Sequence, residues 1–254
     1  MSAALDALPR IAAIRVVTLV TIALVWEAAG HSGLIYKDVV PPLSAIVRAA
    51  VEELLTARFY LHLGVTAMEV ALGFAIAAVA GVALGLAFGI RRYLGAAADP
   101  YVAAIATTPK IVFLPIIMLA IGIGIGSKVA IGALSGIFPI IIGTAGGVRA
   151  VRPVLIRVGR AFNLSRAQMV RMVYLPALAV PIVTGLRLGL GVCIVGVLLG
   201  EIKLANAGLG FLANEYYSQY RIPSLYAVIA IIFALAALAN TAMSRLVRRA
   251  EAHR

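Results

Sequence analysis

Six long apolar stretches, separated by short polar or charged segments, dominate the pattern of this chain. A helix needs about 20 apolar residues to cross the hydrocarbon core of a bilayer, with a range of about 17 to 25. Each stretch meets that length, so the pattern predicts an all-α polytopic membrane protein with six transmembrane helices. The approximate predicted spans are Ile14–Ile35, Val65–Ile90, Tyr101–Ile121, Val129–Val148, Leu178–Leu199 and Leu225–Val247.

The predicted organisation is one transmembrane domain over residues 1–254, with an N-terminal helix at 14–35 and a five-helix core at 65–247. Between these two parts, Ser44–Tyr60 has apolar residues at helical spacing and charged residues on its other faces. That pattern is typical of an amphipathic helix lying along the membrane interface. The third and fourth spans are joined by GIGIGS, a turn so short that only an antiparallel helix pair could use it.

Composition supports the membrane assignment. Of 254 residues, 63% are hydrophobic and 13% are charged, whereas soluble domains carry about 25% charged residues. The formal net charge of +12 does not indicate a nucleic-acid partner, because the positive residues lie between apolar spans and not along one face of a soluble module. The single Cys and three scattered His residues show no metal-ligand spacing, so no metal site is predicted.

The distribution of Lys and Arg predicts the orientation. With six spans and both termini on one side, that side carries thirteen Lys and Arg residues and the other side carries six, together with five acids, among them Asp38 and Glu201. Cytoplasmic loops carry the excess of Lys and Arg, so both termini are expected in the cytoplasm.

The longest cytoplasmic segment, Val151–Leu175, contains arginines and no acidic residue. Within it, Asn163-Leu-Ser165 predicts a turn followed by a serine cap for a short helix. Charge alone leaves two interpretations open: a plain positive-inside loop, or a surface that holds a partner.

The stretch RVGRAFNLSRAQMVRMVYLPALAVPIVTGLRLGLG, Arg157–Gly191, resembles the cytoplasmic EAA loop and following helix of ABC importer permeases. Within that family it is similar to the branch serving nitrate, sulfonate, taurine, bicarbonate and thiamine-precursor uptake. Val173, Leu175, Pro176 and Thr184–Gly191 match the pattern well.

The beginning of this loop departs from the family pattern. Arg157 stands where the family usually has Glu, Val158 and Gly159 replace two alanines, and Asn163 replaces a Gly. Asn is tolerated at left-handed backbone positions, so the turn is expected to survive. The change of Glu to Arg leaves open whether ATPase docking is altered.

The resemblance extends over nearly the whole chain. It includes Trp26-Glu27, Val39–Val47, Gly73–Arg92, Asp99–Gly124 and Phe138–Val151. It implies a type I ABC importer-like transmembrane domain in the bacterial inner membrane. The implied partners are a second permease copy, most simply in a homodimer, two ATPase subunits and an extracytoplasmic solute-binding protein. The implied solute is a small anionic or organic molecule of the nitrate, sulfonate or taurine kind.

The resemblance also implies that the loop over 151–175 couples the chain to its ATPase partners. The residues it assigns to this coupling are Arg157, Gly159, Phe162, Asn163, Leu164, Val173, Leu175 and Pro176. The sequence has no G-x-x-x-x-G-K-[ST] motif, so ATP hydrolysis is expected in separate subunits, and no catalytic residue or cofactor is assigned to this chain.

Two cations inside predicted spans are candidates for the translocation pathway, because a charge facing lipid at mid-bilayer costs at least about 2.5 kcal/mol. Arg187 lies about 14 Å into the fifth span at 1.5 Å per residue, and it could instead be tied to a backbone carbonyl or to Glu69. Lys110 follows Pro109, where the helix should bend, and it could instead bond locally. Glu27 and Glu69 lie nearer span ends and are expected to be structural.

Gly81, Gly85 and Gly89 form a small-xxx-small ladder that lets two helix backbones approach closely. We expect packing within the chain, although the same pattern could pair subunits. Two other functional classes are alternatives, and the sequence favours neither, because its predicted spans contain only two acids, Glu27 and Glu69, and it has no cluster of His, Asp or Glu at one interface. An ion-gradient-driven secondary transporter would need inverted repeats and buried acids, and an integral-membrane enzyme would need clustered His, Asp or Glu at one interface.

Overall fold

The computed structural model describes residues 2–32, 39–204 and 206–252 and contains helices and turns, with no strand, in those ranges. Residues 33–35 of the predicted first span, and Lys37, Asp38 and Arg254 of the charge count, lie outside them. The α-helices of the described part are α1 (Ser2–His31), α2 (Leu43–Leu54), α3 (Ala57–Ile90), α4 (Arg92–Thr107), α5 (Leu114–Ile121), α6 (Ile125–Arg149), α7 (Pro153–Ala161), α8 (Arg166–Met169), α9 (Leu175–Leu204), α10 (Leu209–Ser218) and α11 (Ile222–Ala252).

Five helical segments of the described part are long and apolar enough to cross a membrane. A sixth crossing results if α4 and Lys110–Ile121 are counted as one bent span. The predicted all-α polytopic class is therefore confirmed, and the count of six depends on that bent pair. The five continuous candidates are Ala13–His31, Ala57–Ile90, Ile125–Arg149, Arg166–Lys203 and Ile222–Arg245.

The predicted bend in the third span is confirmed, and at 93° it divides Tyr101–Ile121 into separate helices. Thr108 is extended, with φ −67° and ψ 134°, directly before Pro109. Proline disfavours the helical conformation in the residue before it and has no N–H to donate, so the helix ends at Thr107. A 3₁₀ turn, Lys110–Phe113, then leads into α5.

The prediction of one amphipathic helix over Ser44–Tyr60 is wrong in its second half, because α2 ends at Leu54. The Thr56 hydroxyl accepts a hydrogen bond from the N–H of Phe59 at 3.3 Å. A threonine that caps the third residue of the following helix starts a new element, so 57–60 is the first turn of α3.

The chain divides into two compact units, and the first comprises residues 1–60 and 212–231. Within it, Ser44 joins α2 to α1 by donating its hydroxyl to Glu27 Oε1 at 2.7 Å and its N–H to Glu27 Oε2 at 3.1 Å. The expected structural role of Glu27 is thus confirmed. Burial, together with a hydrogen bond to Glu53, raises the pKa of Tyr216 to about 12, so its phenol stays neutral.

The second unit comprises residues 61–211 and 232–254 and is built around α6, which packs most extensively against α9. The glycine ladder of α3 lies on α6: Cβ atoms added at Gly81, Gly85 and Gly89 would come within 2.8 Å of Ile140, Thr144 and Val148, respectively. Packing within the chain, the expected role of these glycines, is confirmed. The single domain predicted over residues 1–254 stays a prediction.

Candidate functional site

The segment 151–175 contains the turn and the cap that its sequence predicts. Asn163 has a φ of 50°, the left-handed region that Asn tolerates better than most residues. Ser165 caps α8: its hydroxyl accepts from the Gln168 N–H at 3.3 Å, and its own N–H donates to Gln168 Oε1 at 2.9 Å. This reciprocal pair is a capping box, which fixes the point at which the chain re-enters a helix.

Helix α7 has one packed face and one exposed apolar face. Gly159 is buried, and a Cβ there would lie 2.8 Å from Met169 Sδ and 3.3 Å from Val173 Cγ2. The exposed apolar face contains Phe162, which is 76% accessible. Three further apolar side chains of this face are also exposed: Val154, Leu155 and Val158.

The sequence predicted a separate short helix after Ser165. In the structure this helix, α8, is instead the start of the fifth span. A π-helical turn, Val170–Tyr174, connects it to α9 without a loop. Pro176 has no N–H to donate to the carbonyl four residues earlier, which favours a local change of helix type. Tyr174 at the end of this turn and Leu178 in α9 are buried against Val148 and Val151, so this helix is anchored on the end of α6.

The remaining residues assigned to coupling differ in accessibility. Val173 and Leu164 are partly buried, whereas the other four are exposed: Arg157, Asn163, Leu175 and Pro176. The segment therefore has one side that packs against the rest of the second unit and another side that is exposed.

Lys110 lies at the break between α4 and α5, beside two cavities. Its Nζ donates to the carbonyls of Ala106 at 2.6 Å and Thr108 at 2.8 Å, so the expected local bonding is present. The ammonium also lies 5.4 Å from the centre of the Phe138 ring. The cavities have volumes of about 220 and 360 Å³, and Lys110 and Ser135 line both.

Arg187 is separate from this arrangement. It is exposed on α9, and its Nε donates to Asn240 Oδ1 of α11 at 2.8 Å. It is not among the residues that line the two cavities at Lys110. The alternative that Glu69 holds Arg187 is wrong, because Glu69 pairs with Lys128.

A buried polar cluster joins α3, α6 and α9, and the sequence reasoning missed it. Lys128 Nζ lies 2.5 Å from Glu69 Oε1, and Thr66 donates its hydroxyl to Glu201 Oε1 at 2.6 Å. Glu201, expected in an outer loop, is fully buried, because α9 continues to Leu204. The available signal was the spacing of His62, Thr66 and Glu69, which places three polar residues on one face of an apolar helix.

This cluster holds the beginning of α10 through three backbone N–H groups. Gly208 N donates to His62 Nδ1 at 3.1 Å, Leu209 N to Thr66 Oγ1 at 2.8 Å and Gly210 N to Glu201 Oε2 at 2.7 Å. The first N–H groups of a helix have no partner within it, so side-chain acceptors stabilise its start. Gly208 has φ 117°, and a Cβ there would lie 2.3 Å from the Glu201 carboxyl, so the position requires glycine.

Long apolar helices, a proline-broken span and a capped basic segment indicate a polytopic helical membrane protein. Residues 73–252 match the family of binding-protein-dependent transport system inner membrane components, and the chain belongs to that family. It is a multi-pass inner-membrane protein and an ABC importer permease. This membership decides against a secondary transporter and against an integral-membrane enzyme.

Relatives that are named as transport permeases match most of the chain. The taurine transport system permease protein TauC of Escherichia coli is 30% identical over 90% of this chain and 86% of its own length. The putative aliphatic sulfonates transport permease protein SsuC of Bacillus subtilis is 28% identical over 89% and 81%, respectively. The nitrate import permease protein NrtB of Synechocystis is 32% identical over 65% and 59%.

The fold resembles that of an inward-facing structure of the MetNI methionine ABC transporter. The TM-score is 0.61 at 22% sequence identity, over 82% of this chain and 97% of the other. This likeness confirms the type I ABC importer fold.

Proposed function

We propose that two copies of this chain form the translocation pathway of an ATP-driven importer for a small anionic solute. Two ATPase subunits bind the segment 151–175 from the cytoplasm, and an extracytoplasmic solute-binding protein delivers the solute. The observation that carries the proposal is the exposed apolar face of α7, presented on a capped basic segment that is itself anchored on α6. An exposed apolar patch rimmed by polar residues is typical of a protein interface.

The packed side of the segment explains how ATPase movement reaches the pathway. Gly159 and Val173 hold α7 against the helix that begins at Arg166 and continues as α9. The π turn joins α8 to α9 without a loop, so α8 and α9 move together. A displacement of α7, which packs on α8, therefore also displaces the fifth span. Closure of the ATPase pair around ATP then alternates access between the two membrane sides. Arg157 is exposed, and we expect its guanidinium group to donate hydrogen bonds to an acceptor on the ATPase surface.

The solute class is proposed from charge near the broken span. Lys110 has three N–H donors, and two of them are used by backbone carbonyls, so one remains for a ligand. The larger cavity beside it, about 360 Å³, falls within the range of small-molecule sites. Sulfonates, taurine and nitrate, for which relatives of this chain are named, each contain an anionic group, which agrees with a cation in this position. Arg187 is the second candidate for this pathway.

The test of the docking surface is co-purification of the ATPase. Phe162→Asp combined with Val158→Asp places two carboxylates on the exposed face of α7 and should detach the ATPase while the chain stays in the membrane. Ala167→Asp is the matched control, because it adds an exposed carboxylate on α8, outside that face. Undiminished ATPase recovery with the double variant would refute the docking assignment.

A further inference from the structure

A cavity of about 720 Å³ lies between the end of α3 and the segment α7–α8, on the side of α7 that faces away from its exposed apolar face. Three arginines line it, and no acidic side chain is among the lining residues. The other lining residues are apolar except for Tyr174. The apolar ones are Ala87, Ile90, Ile156, Leu164, Met169 and Val170.

The three arginines, Arg91, Arg160 and Arg166, come from the turn after α3, from α7 and from α8, and these exposed residues all line this space. Within the described residues, none of them forms an ion pair within 4 Å. Arg149 shows the contrast, because it donates to Asp99 Oδ1 at 2.7 Å. Three guanidinium groups around one apolar space, without a carboxylate from the described chain, leave a concentrated positive charge that an anion would neutralise.

We propose that this cavity binds the headgroup of an anionic phospholipid of the cytoplasmic leaflet. The phosphate lies among Arg91, Arg160 and Arg166, and the acyl chains lie along the apolar lining. Guanidinium groups bind phosphate oxygens through paired N–H donors, which suits this arrangement. The proposal rests on the proposed orientation, in which the end of α3 and the segment 151–175 are cytoplasmic.

The apolar lining favours a lipid over a soluble anion. A free phosphate would need only the arginines, whereas six apolar residues of this cavity would stay uncovered. Ile90 ends a candidate transmembrane span, so the cavity lies where headgroups meet the hydrocarbon region. Basic pockets between helices at the cytoplasmic surface are the recognised sites for anionic headgroups.

A lipid in this position would bridge the end of α3 to α7. Arg91 belongs to the turn after α3, and Arg160 lies in the last turn of α7, so one phosphate bound to both fixes the distance between them. Anionic lipid is therefore expected to strengthen the coupling of ATP hydrolysis to transport without being part of the ATPase contact.

The experiment uses the complete complex with its ATPase, reconstituted in nanodiscs that contain a photoreactive phosphatidylglycerol. Cross-links should map to peptides around Ile156–Val170, and photoreactive phosphatidylcholine should label them far less. Replacing Arg91, Arg160 and Arg166 together with Gln should lower labelling about a hundredfold, since each arginine near an anionic surface contributes about fivefold in affinity. The matched control replaces Arg92, Arg152 and Arg171, which carry the same charge but do not line the cavity.

Four results would overturn the proposal: equal labelling by phosphatidylcholine, equal loss of labelling in the control triple variant, full competition by soluble glycerol phosphate, or loss of the ATPase from the cavity variant. Equal labelling by phosphatidylcholine would show a groove without anion recognition, and equal loss in the control variant would show an effect of diffuse surface charge. Full competition by glycerol phosphate would show a site for soluble anions. Loss of the ATPase from the cavity variant would place the cavity in the docking surface. The comparison of the two lipids uses the unmodified complex, so its result does not depend on whether a variant folds. The docking test on Phe162 and Val158 has an outcome that is independent of lipid binding.

Discussion

Lys128 and Glu69 form a buried ion pair, with 2.5 Å between the Nζ and Oε1 atoms and side chains that are 7% and 0% accessible. The Glu201 carboxyl interacts with Glu69 in the same cluster and also accepts from Thr66 and from the Gly210 N–H. Two fully buried carboxyl groups and one nearly buried ammonium therefore share this site. Removing one charge from such a site is costly, because its partner stays buried without compensation.

We expect Lys128→Met to destabilise the chain strongly. Methionine keeps most of the length of the lysine side chain and removes its charge, which leaves Glu69 beside a second carboxyl group. Breaking a buried pair in this way costs about 3–5 kcal/mol. Thermal unfolding of the detergent-solubilised complex measures the loss.

The double variant Lys128→Met with Glu69→Gln is the control for this pair. Removing both charges should recover a large part of the lost stability, because no uncompensated charge remains. A double variant as unstable as the sum of the two single variants would contradict direct coupling between these side chains.

Thr66→Val tests the anchoring of α10. The threonine hydroxyl donates to Glu201 and accepts from the Leu209 N–H, and valine keeps the shape while removing both bonds. Leaving buried polar groups without partners costs about 1–3 kcal/mol. Hydrogen exchange at Leu209 and Gly210 should accelerate.

Thr107→Val is the matched control for Thr66, because the Thr107 hydroxyl is exposed and bonds only to carbonyls of its own helix. It should leave exchange at the start of α10 unchanged. Protected amides at Leu209 and Gly210 in Thr66→Val would show that the cluster does not hold this helix.

Gly85→Ala should destabilise the packing of α3 on α6. The added Cβ would lie 2.6 Å from Thr144 Cβ and 2.9 Å from the Ile141 carbonyl, so the backbones must separate. Overpacking costs about 1–3 kcal/mol, which exceeds the gain of about 1 kcal/mol that alanine brings to a helix. Gly64→Ala on the same helix has no atom within 4 Å and should be neutral or stabilising, as a thermal melt would show.

The sequence predicted the features that depend on local pattern. The length of apolar runs indicates the spans, Asn163 and Ser165 indicate the turn and cap, and Pro109 indicates the bend. Each of these depends on residues close together in the chain. The 93° size of that bend was not predicted, and neither was the end of α2 at Leu54, because the apolar spacing continues past the Thr56 cap that separates α2 from α3.

The buried cluster shows why the rest could not be predicted. Glu201 follows an apolar run, and its position in an outer loop was the natural expectation until its partners on α3 were known. Thr66 and Glu201 are 135 residues apart in the chain, and no local pattern joins them. The pairing of Arg187 with Asn240, 53 residues away, was missed for the same reason.

Cysteine labelling tests the orientation. In a background with Cys193→Ser, a cysteine at Ser218 should react with an impermeant reagent from outside the cell. A cysteine at Ala167, exposed on α8, should react only after the membrane is opened. The expectation follows from the excess of Lys and Arg on the proposed cytoplasmic side. Reaction of both positions from one side would show that Arg166–Lys203 does not cross the membrane. Exchanged sides would instead indicate a miscount earlier in the chain, with the bent pair Arg92–Ile121 as the first candidate.

Lys110→Gln should lower solute uptake at least about tenfold if the free N–H donor of Lys110 meets an anionic solute. A hydrogen bond to a charged group contributes about 1.5–3 kcal/mol, and 1.4 kcal/mol corresponds to a factor of ten. Uptake of radiolabelled solute by proteoliposomes measures the effect, with basal ATPase activity and complex recovery as controls for assembly.

Arg187→Gln provides the comparison, because glutamine keeps a donor for Asn240 while it removes the charge. Arg187 lies away from the residues that line the cavities at Lys110, so we expect its substitution to reduce uptake less than that of Lys110. If the pathway instead runs along the exposed side of α9, the order is reversed and Arg187→Gln gives the larger loss. If Arg187→Gln dissociates the complex and Asn240→Ala does not, Arg187 stabilises the complex through contacts other than its hydrogen bond to Asn240. Unchanged uptake in both charge-removing variants would refute an anion pathway through either residue.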